Sequence, residues 1–124
     1  MSKRHCVIIA LASNHEAEKN LFEAKRRLEQ ILFDVHYSEC KCSQAFGNKS
    51  KGYYYNQLMY GTTDLNVEQL IEVLKETETI MGRTPETREQ GIVGIDLDLM
   101  QYDEERHHLR DWERPYIKNL LPQP

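Results

Sequence analysis

Apolar positions along this chain fall into short runs and longer periodic stretches, and the spacing within each predicts an element. Cys6 to Leu11 (Cys-Val-Ile-Ile-Ala-Leu) is unbroken and rich in β-branched residues, the pattern of a strand covered on both faces. Ala17, Leu21, Ala24, Leu28, Ile31 and Leu32 then recur at helical spacing, with Glu18, Lys19, Lys25 and Arg26 left toward water. Ser13 or Asn14 is expected to cap that helix, with Glu16 in capping-box spacing from Ser13. Residues 34–43 predict a second strand, polar enough to sit near a sheet edge, and Gly47 to Gly52 a flexible loop. Tyr53 to Thr62 is aromatic-rich and predicts a third strand. Val67, Leu70, Ile71, Leu74, Thr77 and Met81 stripe a second helix, with Asn66 as cap, Gln69 in the box position and Gly82 as the stop. Residues 83–91 follow as a polar loop, Gly91 to Tyr102 as a fourth strand, and 103–124 as a charged, irregular tail.

The predicted order is β-α-β-β-α-β, which belongs to the α+β class. It is the order of a ferredoxin-like βαββαβ sandwich, an antiparallel sheet with two helices on one face. At 124 residues the chain is expected to be a single domain over 1–124, and no internal repeat, linker or low-complexity tract divides it.

Composition narrows the function classes. A formal charge of −4 argues against nucleic acid as partner, since such binders carry a basic face. No apolar run approaches the roughly 18 residues of a membrane span. The start, Met-Ser-Lys-Arg-His, leads straight into a strand rather than a signal-peptide core, so a cytoplasmic location is expected. Cys40 and Cys42 form a Cys-x-Cys pair without the further ligands a zinc site needs, and read as reduced side chains on one strand face.

The candidate chemistry lies in Ile95-Asp96-Leu97-Asp98-Leu99. Alternation turns Asp96 and Asp98 to one face, roughly 6–7 Å apart, and the apolar residues to the other. Ionised groups so placed repel unless a cation lies between them. Mg2+ suits such a pair and usually brings a phosphorylated ligand. The plain alternative is a solvent-facing amphipathic edge, although Ile92, Val93, Met100 and Tyr102 nearby are not polar. Asn56 is out of place in a strand, and alternation groups it with Tyr54 and Leu58. Its amide could read the edge of a flat heterocycle on which Tyr54 stacks, or simply lie on the surface. Arg83 and Arg88 flank the loop before the acids, where guanidinium groups could clamp phosphates or simply stand solvated, as loop arginines commonly do. Glu78 could face the site or solvent, and His107 and His108 lie in a charged turn that reads as exposed.

Together these residues resemble the 6-hydroxymethyl-7,8-dihydropterin pyrophosphokinases of folate biosynthesis. The resemblance rests on Ala12-Ser13-Asn14, Tyr54-x-Asn56, Gly82-Arg83 and, above all, Gly91-x-x-x-x-Asp96-Leu97-Asp98-Leu99-Met100. It implies a ferredoxin-like transferase that moves pyrophosphate from ATP to the pterin hydroxymethyl group. The implied partners are ATP and a pterin, and the implied cofactor is two Mg2+ ions on Asp96 and Asp98. Asn56 and Tyr54 would then hold the pterin, Glu78 and Arg83 would line the site, and Arg83 with Arg88 would contact ATP.

The sequence also departs from that pattern. Val93 stands where the family places a phosphate-contacting Arg, Gln90 where it places an aromatic, and Pro85 where it places a second basic residue. The family's Pro-His appears as Pro115-Tyr116, the loop at 46–52 reads as shortened, and the sequence stops at Pro124 before a region expected to supply another aromatic and another Arg. Arg88 or Lys51 is the expected compensation. A catalytically inactive relative, binding a pterin, a nucleotide or a protein partner, is the alternative this pattern implies.

Overall fold

The computed structural model describes residues 3–44 and 53–122. The expected loop at 46–52, with Lys51, lies outside the described residues. The elements run in the order β1 (His5–Ser13), α1 (Ala17–Leu28), β2 (Phe33–Tyr37), β3 (Lys41–Gln44), β4 (Tyr53–Thr63) and α2 (Val67–Ile80). They continue with α3 (Pro85–Glu89), β5 (Asp96–Tyr102), β6 (Glu105–Arg106), α4 (Leu109–Trp112) and α5 (Pro115–Lys118). Every strand pair is antiparallel, in the order β2-β4-β1-β5-β6, with β3 also on β4. This is the α+β sandwich that the sequence pattern implies.

β1 is central and covered on both faces, as its unbroken apolar run requires. Val7, Ile9 and Leu11 pack with Leu21, Ala24 and Leu28 of α1 and Leu70 and Leu74 of α2. Met59, Leu97 and Leu99 complete that layer. On the other face, Ile8 and Ala10 meet a second cluster formed by Leu58, Met100, Trp112, Ile117 and Leu120. Residues 103–122 are therefore structured, contrary to the irregular tail expected from their charge. Three apolar side chains among many charged ones suffice, because the sheet supplies the other half of that core.

Four local expectations are corrected by tertiary contacts. Ser13 closes β1 instead of capping α1: its Oγ donates to the His15 carbonyl at 3.0 Å, while Asn14 spends its side chain on residues 91–93. α1 starts after Glu16, whose φ of 43° is left-handed and offers no side-chain cap. The expected strand over 34–43 splits into β2 and β3, which pair with different stretches of β4. The expected loop at 83–91 contains α3, with Pro85 at its first turn and a capping box between Thr84 and Thr87. The fourth strand begins at Asp96 rather than Gly91. At α2, by contrast, the Asn66–Gln69 capping box is present in both directions, and Gly82 follows with φ of 102°.

Candidate functional site

Two rows cross the sheet on the face opposite the long helices. Asn56 of β4 and Asp96 of β5 both pair with Ala12 of β1, and Leu58 and Asp98 both pair with Ala10. The small central alanines make a low floor between taller neighbours. α4 and α5 close over it, leaving a cavity of about 170 Å³ lined by Tyr54, Asn56, Asp96, Asp98, Asp111 and Tyr116, among others. Lys41 of β3 donates to the Asn119 carbonyl at 2.8 Å and ties the sheet edge to this cover. Trp112 anchors the other end, its Nε1 donating to the carbonyls of Met100 at 3.2 Å and His107 at 3.0 Å.

Asn56 is only 4% exposed, so the surface alternative does not hold. Its Nδ2 donates to Ser43 Oγ at 2.6 Å and faces the carbonyls of Lys41 and Tyr54 at 3.4 Å. Three acceptors around one nitrogen fix the amide's orientation.

Glu78 is resolved as inward-facing and buried. Its Oε2 accepts the Leu97 backbone N–H at 2.7 Å, a donor that two-residue β6 leaves open on the outer edge of β5. Its Oε1 lies 3.0 Å from Arg83 Nη1, which also reaches Asp96 Oδ1 at 3.1 Å. Arg83 thus bridges two carboxylates. Burial pushes the Glu78 carboxyl up to about 7, with Asp96 adding to the rise and the Leu97 N–H and Arg83 opposing it. Asp98 also rises to about 7, through burial first and then repulsion from Asp96 and Asp111, with Arg83 opposing. His108 Nε2 stands 3.8 Å from Asp98 Oδ1, so this histidine belongs to the rim of the site; His107 is half-buried, not exposed as its turn suggested. Burial, with Asp111 adding to it, raises the Tyr116 phenol and keeps it protonated.

A second hollow of about 630 Å³ adjoins the cavity and shares Tyr54 and Asp96 with it. Its walls are the start of α1 and residues 81–94, and they carry Lys19, Arg83 and Arg88. Asn14 holds the two walls together: its Nδ2 donates to the Gly91 carbonyl at 2.7 Å and its Oδ1 accepts the Val93 N–H at 2.6 Å. The Asn14 N–H also donates to the Val93 carbonyl at 2.9 Å. The outer hollow is rich in cations, whereas three carboxylates and no Lys or Arg line the inner cavity.

All seven residues singled out in the sequence line or brace these two spaces. Tyr54, Asn56, Asp96 and Asp98 border the cavity, Arg83 and Arg88 the outer hollow, and Glu78 supports Arg83 from behind. Sequence reasoning missed Ser43, Asp111 and Lys19. Ser43 had a usable signal, since it pairs with Tyr54 and strand neighbours share a face. Asp111 had none within its charged tail. Cys40 and Cys42 are exposed free thiols, and Cys42 pairs with Tyr55, on the face turned away from the cavity.

Among the described residues, no group of three or more His, Cys, Asp or Glu side chains is arranged to hold a metal ion. The Asp96–Asp98 pair nonetheless suits Mg2+, which takes one or two protein carboxylates and completes its shell with water and phosphate oxygens. The Asp98 carboxyl, raised first by burial and then by the neighbouring carboxylates, is one that a bound cation would draw back to its ionised form.

The model of the 7,8-dihydro-6-hydroxymethylpterin-pyrophosphokinase (HPPK) family matches residues 8–124. A folate synthesis bifunctional protein of Arabidopsis thaliana is 30% identical over 121 residues, covering 90% of this chain and 25% of that protein. A folic acid synthesis protein of Dictyostelium discoideum is 30% identical over 125 residues, covering 94% of this chain and 19% of that protein. The chain thus spans a quarter or less of the length of these relatives. With nearly its whole length matched by the family model, the chain belongs to the HPPK family.

Proposed function

We propose that this protein transfers pyrophosphate from ATP to 6-hydroxymethyl-7,8-dihydropterin in a Mg2+-dependent reaction of folate biosynthesis. The observation that carries this reading is the shared border at Asp96. A small cavity with a fixed amide lies on one side and a cation-lined hollow on the other. Asn56 and Tyr54 hold the pterin ring in the cavity, the amide aligned by Ser43 and the Lys41 and Tyr54 carbonyls. Arg83 and Arg88 face the phosphates in the hollow, and Arg83 also orients Asp96 through the ion pair it shares with Glu78. Asp96 and Asp98 hold Mg2+, two ions by family resemblance, and bound Mg2+ supplies neutralisation of phosphate charge. The pterin hydroxyl attacks the β-phosphorus: a new O–Pβ bond forms, the bond from Pβ to the α,β-bridging oxygen breaks to release AMP, and the hydroxyl proton passes to solvent. Such a transfer needs alignment and electrostatics more than a protein nucleophile.

Calorimetry with a non-hydrolysable ATP analogue, with and without Mg2+ and hydroxymethylpterin, tests the reading. Mg2+-dependent binding followed by AMP formation from ATP supports it; absence of Mg2+-dependent binding removes it. A second reading, a binding module without turnover, is favoured by Val93, an apolar side chain on the wall of the cationic hollow. Binding without AMP release under single-turnover conditions selects that reading.

A further inference from the structure

The wall that carries Val93 faces α1, and Lys19 stands on α1 in the first turn, lining the same hollow. Lys19 is exposed and makes no ion pair or side-chain hydrogen bond among the described residues. Arg83, in contrast, is committed to Glu78 and Asp96. The only acid of α1's start that lines the hollow close by, Glu16, lies 3.5 Å from His15 Nε2. The position of Lys19 is built rather than incidental. Asn20, the next residue, donates from Nδ2 to the His15 carbonyl at 2.8 Å and sets the first turn of α1 against the preceding loop. A Cβ on Gly94 would come within 3.4 Å of that same Nδ2, so the glycine lets the opposite wall approach. Asn14 then locks the two walls at Gly91 and Val93.

We infer that Lys19 is a phosphate-binding residue, supplying from α1 the positive charge that Val93 does not supply from the opposite wall. This inference rests on the pyrophosphokinase reading and adds to it a contact to the β,γ end of the ATP phosphate chain. A lysine suits the position, because a flexible stem carrying a point charge reaches a polyanion across a wide hollow without a fixed angle. Chemically, one charge-assisted hydrogen bond to a phosphate oxygen is lost when the amine is removed, an effect on the order of tenfold in affinity.

The test measures binding of the Mg2+ complex of α,β-methylene ATP, and of AMP, to wild type, Lys19→Ala and Lys19→Arg. The expected result is roughly tenfold weaker analogue binding by Lys19→Ala, recovery in Lys19→Arg, and AMP affinity unchanged in all three. Thermal melts of the ligand-free variants should coincide with wild type, since the side chain is exposed and unpaired. Equal analogue affinity in wild type and Lys19→Ala overturns the assignment of Lys19 alone, as does an equal loss for AMP and the analogue. Failure of wild type to bind the analogue with Mg2+ overturns the pyrophosphokinase reading itself, and the role of Lys19 with it.

Discussion

Replacing Trp112 with alanine tests whether the C-terminal turns are part of the fold and of the site. Trp112 is 6% exposed, packs with Leu58, Met100, Ile117 and Leu120, lies under the Arg106 guanidinium at 4.0 Å, and holds two carbonyls through Nε1. Truncating a buried tryptophan costs about 3–5 kcal/mol, the sum of lost transfer energy and an incompletely collapsed cavity. For a domain of this length the total stability is roughly 5–15 kcal/mol, so the loss is a large share of it. At about 3–5 °C per kcal/mol the melting temperature should fall by roughly 10–25 °C. Trp112→Phe separates packing from hydrogen bonding. The Met100 carbonyl keeps a partner in the His107 N–H at 2.9 Å, whereas the His107 carbonyl loses the indole, for a cost of about 1–2 kcal/mol. Trp112 is the sole tryptophan, so far-UV circular dichroism in urea is the common probe for all three proteins. In wild type, Trp112 fluorescence and circular dichroism should unfold together. A midpoint for Trp112→Ala within about 1 kcal/mol of wild type, or wild-type fluorescence that melts before the sheet, would refute the reasoning. Because Asp111 and Tyr116 depend on this anchor, pterin affinity should fall in the same variant.

Further outcomes follow from the site. Asp98→Asn should abolish Mg2+-dependent nucleotide binding while its ligand-free melting temperature at pH 8 stays equal to or above wild type, because the amide removes a repelled charge; a lower melting temperature would count against that account. Glu78 and Asp98 titrate near 7 when folded and near 4.5 and 3.8 when unfolded, so their stabilisation is full below the unfolded values and lost as pH rises through about 7. Urea midpoints of the ligand-free protein should therefore drop between about pH 4.5 and 7, and less so in the Glu78→Gln/Asp98→Asn double variant; equal slopes would contradict this. Asn56→Ala should weaken hydroxymethylpterin binding at least 100-fold, on the order expected for a site left with unmet polar groups, and leave the ATP analogue's affinity within about twofold in calorimetry. Chelating Mg2+ with EDTA should remove nucleotide binding yet leave the ligand-free melting curve unchanged, since two carboxylates alone hold the ion weakly.

Much of this molecule was legible in its sequence because the relevant signals are local. The unbroken run of Cys6 to Leu11, the stripes of Leu21–Ala24–Leu28 and Leu70–Leu74, and the Asn66 box depend only on neighbours within a turn or two. The facing of Asp96 and Asp98 follows from strand alternation alone, and so does the grouping of Tyr54, Asn56 and Leu58. Contacts between distant segments left no such trace. Asn14 has the residue type of a helix cap, yet its amide bonds Gly91 and Val93, some 77 to 79 positions away, and α1 starts without it. Trp112, Ile117 and Leu120 lack the period of a long helix and form a core only because Leu58 and Met100 lie beneath them. Arg83 reads from the sequence as a phosphate clamp or a solvated loop residue, and only the fold brings Glu78 and Asp96 to its guanidinium. The sequence by itself determined the longer elements, β1, α1, β4 and α2, and which side chains share a face. Tertiary structure decided which faces meet, and with them the cover, the cation-lined hollow and the ionisation of Glu78 and Asp98, because burial and charge proximity are properties of the assembled space rather than of any one segment.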